Sequence, residues 1–99
     1  MTERRFELSG SLDIASVAEL RPRLLEAMDG AEALVLDGSR VERADTAGVQ
    51  LLVASAREAA RRGISLTLHA SSEPLERSLR ALGLADAVAT PARGDAAAH

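Results

Sequence analysis

Two apolar runs of different texture stand on either side of a helix. Leu34-Val35-Leu36 is short and continuous, as in a buried strand, while Ile64-Ser65-Leu66-Thr67-Leu68-His69 alternates, with Ile64, Leu66 and Leu68 inward. Between them Val49, Leu52, Val53, Ala56 and Ala60 recur at the spacing of one helix face. Arg61 and Arg62 fall in the last turn, where they complement the helix dipole, and Gly63 is placed as the C-terminal cap. Strands separated by a helix pair in parallel, so this stretch predicts an α/β unit. A chain of 99 residues holds one such domain and not two.

The flanks extend the alternation. Phe6-Glu7-Leu8 predicts a half-buried strand, Ser9-Gly10-Ser11 a turn, and Leu12 resumes the apolar pattern. Ser16 with Glu19 is a capping-box signature, and Val17, Leu20, Leu24 and Met28 carry a helix to about Asp29-Gly30. Pro22 lies within it and predicts a kink or a loose first turn. Asp37-Gly38 predicts a turn closing the second strand, followed by a mixed stretch from Ser39 to Ala44. Ser71-Ser72-Glu73-Pro74 opens a third helix with Leu75, Leu79 and Leu82 inward and Gly83 as its stop. Leu84 and Val88 are expected to fold back onto the core. The domain is placed at residues 1–91 and a flexible tail at 92–99. The pairs Glu19/Arg23, Glu58/Arg62 and Glu76/Arg80 support the helices and say nothing about function.

Composition removes several function classes. Phe6 is the one aromatic residue, so the core is aliphatic and no surface for stacking bases is expected. A net charge of −3 argues against a nucleic-acid binder. The chain has no cysteine, which excludes disulfides, thiol catalysis and cysteine metal sites. No apolar run reaches membrane-spanning length and no signal-peptide pattern is present, so a cytoplasmic protein without membrane insertion is expected.

Catalytic chemistry has little to stand on. His99 is terminal, and His69 ends a strand with no second internal histidine to complete a metal set. Asp37 beside Gly38 suits a turn and Asp45 suits a helix start, so neither needs a catalytic role. No phosphate-cradling glycine loop with its following Lys occurs. We therefore expect no enzyme, cofactor or metal. What remains is Asp45-Thr46-Ala47-Gly48, where Asp45 or Thr46 caps the helix and the other is spare. A phosphate on Thr46 would add about −1.5 to −2 charges at pH 7 beside a helix N-terminus that favours anions. The fold would survive while the local surface changed sign.

With Gly10-Ser11-Leu12-Asp13, Leu34-Val35-Leu36-Asp37, Asp45-Thr46-Ala47-Gly48-Val49, Gly63-Ile64 and Leu79 to Leu84 in this order, the chain resembles the STAS domain of bacterial anti-sigma-factor antagonists. The resemblance runs from Phe6 to Val88. It implies a small mixed, largely parallel sheet with helices packed on one face. It also implies a partner switch: a serine/threonine kinase that doubles as anti-sigma factor binds the free form, phosphorylates Thr46, and a phosphatase resets it. Thr46 stands where sigma-regulating members mostly carry Ser, and Ala47 where several carry a second Ser. The run from Ser39 to Gly48 is also similar to the STAS subunit of lipid-trafficking ABC transporters, which grips an ATPase subunit. Similar modules accompany chemotaxis-type signalling proteins, and a further alternative is a scaffold without phosphorylation. The contact surface is expected around Thr46: Asp13, Ile14, Arg43, Asp45, Gly48, Gln50 and Val49, the last either contact or core. Arg40 and Arg43 either steady a phosphate or are simply solvated.

Overall fold

The computed structural model describes residues 2–84. In order they form β1 (Glu3–Leu12), α1 (Ile14–Met28), β2 (Ala33–Ala44), α2 (Thr46–Arg61), β3 (Ser65–Ser71) and α3 (Glu73–Ala81). The three strands are parallel and lie in the order β1-β2-β3. Sheet order follows chain order, and right-handed crossovers then put α1 and α2 on the same face. The two helices pack together, and α3 packs on β2 and against α2. The covered face carries Leu8, Leu34, Leu36, Leu66 and Leu68, all buried, under Leu20, Leu24, Met28, Val49, Leu52, Leu75 and Leu79 of the helices. The opposite face carries Glu3, Arg5, Glu7, Val35, Asp37 and Thr67, which are exposed or half-buried. As expected, the domain is an α/β sheet with its helices on one side.

Both predicted turns in the first half are absent, because bulges do the work assigned to them. β1 runs through Ser9-Gly10-Ser11, and β2 runs through Asp37-Gly38 and on to Ala44. From Glu7 to Ser9 the partner strand advances from Asp37 to Arg40, and from Gly10 to Ser11 it advances from Val41 to Arg43. Each step leaves one extra residue on β2, the defining feature of a bulge. Gly10 sits at φ +71, a left-handed conformation inside a strand that glycine adopts without strain. Gly38 is required by packing: a Cβ there would lie 2.7 Å from Leu75 Cδ2 and 3.0 Å from the Ala70 carbonyl. The Asp37 carboxylate accepts from the Ser39 amide at 3.0 Å and its hydroxyl at 2.7 Å, contacts that hold its pKa below the usual value.

The first helix starts earlier than the Ser16/Glu19 signature predicts. Asp13 is the N-cap; its Oδ1 accepts from the amides of Ala15 and Ser16, each at 3.0 Å. Ser16 is the N3 residue, and its hydroxyl accepts from the Asp13 amide at 3.0 Å. The box is real, with Asp13 at its head. α1 continues through Pro22 to Met28. For α2, β3 and α3 the predicted elements stand, with Ser72 capping α3. Glu58–Arg62 and Glu76–Arg80 form ion pairs at 2.8 and 3.5 Å, and the Arg23 guanidinium carbon lies 5.2 Å from the Phe6 ring centre. Leu82 is a correction: it falls past the last turn of α3 and is 40% exposed. The expected position of Val88, the domain limit at 91 and the tail at 92–99 lie outside the described residues.

Candidate functional site

The parallel sheet brings all three helix N-termini to one edge, the carboxyl end of its strands, where open α/β sheets keep their binding sites. Leu12 and Ala44 are register partners at the ends of β1 and β2. Each is followed at once by an aspartate N-cap, Asp13 or Asp45, and then by the first helical residue, Ile14 or Thr46. The two helix starts are therefore neighbours because two strands of matched register end together.

Asp45 does the capping at α2. Its Oδ1 accepts from the Gly48 amide at 3.1 Å, and its carbonyl takes the Val49 amide at 3.0 Å. Its own amide donates to the Leu12 carbonyl at 3.0 Å, tying the loop to the end of β1. Thr46 is exposed, and no hydrogen bond among the described residues engages its hydroxyl. Of the two capping candidates in the sequence, the aspartate is used and the hydroxyl is left open. The Asp37 and Asp45 carboxylates are both committed locally, Asp37 to Ser39 and Asp45 to Gly48.

The remaining expected contact residues divide. Ile14, Arg43 and Gln50 are exposed and Asp13 is half-buried, all near the ends of β1 and β2 or the start of α2. Val49 is fully buried at 0% exposure and belongs to the core. Gly48 is buried because the helix start presses on β1: a Cβ there would fall 2.2 Å from the Leu12 carbonyl oxygen. Both residues lie beneath the surface that carries Thr46.

The structure adds a wall that the sequence hides. Ala44, Asp45 and Thr46 face Ser78 and Ala81 of α3, and Leu82 just beyond it, across a groove of about 230 Å³. The Ser78 hydroxyl donates to the Ala44 carbonyl at 2.7 Å, fixing α3 against the loop. Ile14, at 77% exposure, and Leu82 are the large apolar residues exposed among those described. Both stand at the Thr46 end, Leu82 in the groove and Ile14 on the neighbouring helix start. No group of His, Cys, Asp and Glu fit for a metal occurs among the described residues, and no helix there is long and apolar enough to cross a membrane.

The family described as "Mlab, STAS domain" matches residues 2–90. The chain belongs to the STAS family. The STAS fold is also seen in its structural neighbours. The anti-sigma factor antagonist SpoIIAA, in its unphosphorylated form, superposes with a TM-score of 0.73 at 20% identity, over 91% of this chain and 81% of that one. An anti-sigma factor antagonist from Mycobacterium paratuberculosis gives 0.75 at 23% identity, over 87% and 74%. The STAS domain of a SulP transporter from Vibrio cholerae gives 0.67 at 18%, over 88% and 68%. A search of curated protein sequences finds no match.

Proposed function

We propose that this STAS protein is a non-catalytic binding module whose partner surface is centred on Thr46 and switched off by phosphorylation of its hydroxyl. The observation that carries the reading is the division of labour at α2: Asp45 caps the helix and Thr46 keeps an exposed, unengaged oxygen. Two exposed apolar side chains, Ile14 and Leu82, lie at the same end, as a protein-binding surface requires. Asp13, Arg43 and Gln50 complete the rim. A phosphate on Thr46 would set a dianion at the mouth of the groove, so docking of an apolar partner surface and modification exclude each other. The partner that fits is a serine/threonine kinase acting as an anti-sigma factor, opposed by a phosphatase, in keeping with the likeness to anti-sigma factor antagonists. ATP belongs to the kinase, and this chain needs no cofactor.

A second reading is favoured by the Mlab description of the matched family and by the similarity of Ser39 to Gly48 to lipid-transporter STAS subunits. There the same surface grips an ABC ATPase subunit as a stable component. Affinity purification from the native host, with mass spectrometry of both the partners and Thr46, separates the two. A kinase-type ATPase with phosphate on Thr46 supports the switch; an ABC ATPase with unmodified Thr46 supports the transporter subunit and removes the switch.

A further inference from the structure

β1 is an edge strand, and among the described residues only β2 pairs with it. Such an edge presents unpaired backbone amides and carbonyls and is a template for another strand unless its side chains oppose it. The two bulges leave their extra residues on β2, so β1 itself runs regularly from Glu3 to Ser9, and Gly10 at φ +71 ends that stretch. Along it Arg4, Phe6 and Leu8 face the helices, whereas Glu3, Arg5 and Glu7 face the open side.

A second copy approaching this edge about a two-fold axis normal to the sheet pairs antiparallel, with residues of the same face opposite one another. The charges reject most of the possible alignments, and the end of the regular stretch at Gly10 rejects the one centred on Leu8, which would set Phe6 against Gly10. With Arg4 or Arg5 on the axis, an arginine meets its own copy; with Glu7 on the axis, a glutamate does. With Phe6 on the axis, Arg5 meets Glu7 of the second copy and Glu7 meets its Arg5. In that alignment Arg4 meets Leu8, Glu3 meets Ser9, and no like charges are opposed. It uses the whole regular stretch from Glu3 to Ser9 and nothing beyond. It also brings together the half-buried Phe6 side chains, each already flanked by Arg23 at 5.2 Å. Glu7 meanwhile holds only an exposed contact with Arg40 at 3.6 Å, weak enough to be shared.

We propose that this chain self-associates through β1, antiparallel and centred on Phe6, joining the sheets of two copies edge to edge with Arg5–Glu7 pairs on either side of the axis. The contact is a single strand edge, so the dimer is weak and concentration-dependent. The edge lies on the strand farthest in sheet order from β3, and its use leaves the Thr46 groove open.

Sedimentation velocity on the 99-residue chain from about 1 to 500 µM, a range suited to a weak interface, should show a shift from 10.4 kDa to twice that mass. Arg5→Glu alone and Glu7→Arg alone each turn two attractive pairs into two repulsive ones and should raise the dimer Kd about tenfold or more. The combined swap Arg5→Glu/Glu7→Arg recreates the pairs and should return the Kd to the native range. These positions are exposed, and circular dichroism verifies that each variant is folded. The chain lacks cysteine, so Phe6→Cys provides a direct reading: mild oxidation should link Cys to its own copy, while Arg4→Cys should stay unlinked. A mass of 10.4 kDa throughout the range, a dimer indifferent to either single reversal, a swap that fails to restore it, or an unlinked Phe6→Cys would each overturn the proposal.

Discussion

The two ends of α2 are built for different purposes. At its C-terminal end Glu58 accepts from Arg61 at 3.0 Å and Arg62 at 2.8 Å, and Arg62 reaches on to Asp29 beyond α1 at 3.1 Å. The Ile64 amide closes back on the Ala59 carbonyl at 2.8 Å. At its N-terminal end one carboxylate, Asp45, holds the helix, while a hydroxyl, an apolar groove and two exposed aliphatic side chains are left open. One end is spent on holding the fold together. The other leaves a hydroxyl and a groove open, the surface that the proposed function gives to a partner.

The contrast breaks most readily at Gly48. A side chain there meets the Leu12 backbone at 2.2–2.8 Å, so Gly48→Ala should separate α2 from β1. Overpacking of this kind costs about 2 kcal/mol or more, against a gain of under ~1 kcal/mol from removing a helical glycine. A fall in melting temperature of about 5–15 °C by calorimetry checks it. Asp45→Ala comes next: losing the N-cap should cost about 1 kcal/mol, read from the midpoint of urea unfolding. Smallest is the far end. Arg62→Ala should lower the melting temperature by less than Asp45→Ala at neutral pH, because its ion pairs are partly solvated.

That last effect has a definite pH dependence. Hydrogen bonds from Arg62 and Arg61 hold the Glu58 pKa below its ordinary value of 4.5, so the folded state favours the carboxylate. The stabilisation is complete above 4.5 and is lost as the pH falls through the lowered value, where the folded protein must also take up the proton. The difference in melting temperature between native chain and Arg62→Ala should therefore shrink in acid and stay constant from pH 6 upward.

Legibility in the sequence follows the range of the physics involved. α2 and β3 are readable because periodicity is local and unbroken from Val49 to Ala60 and from Ile64 to Leu68. β1 and β2 are misread where Ser-Gly-Ser and Asp-Gly carry turn chemistry that a neighbouring strand converts into bulges. Gly38 looks like a turn residue, yet its reason lies in Leu75, on a helix that forms much later in the chain. Ser16 announces a capping box, but the acid three residues before it, not the one after, completes the box. At the site, Thr46 stands out because an acid, a hydroxyl and a glycine make poor core. The α3 wall does not: Ser78 and Ala44 meet across 34 residues, and Leu82 continues an inward pattern until the helix stops beneath it. Gly48 is the converse, read as surface beside Thr46 and taken into the core by the close seat of α2 on Leu12, while Val49, left open between contact and core, falls in the core.

Under the proposed function Thr46 governs binding and Asp45 governs folding. Calorimetric titration of the purified native-host partner with the native chain and with Thr46→Glu tests it most directly, alongside a melt of each. Thr46→Glu should show no measurable binding at a stability within about 0.5 kcal/mol of native. Native affinity in Thr46→Glu would contradict it.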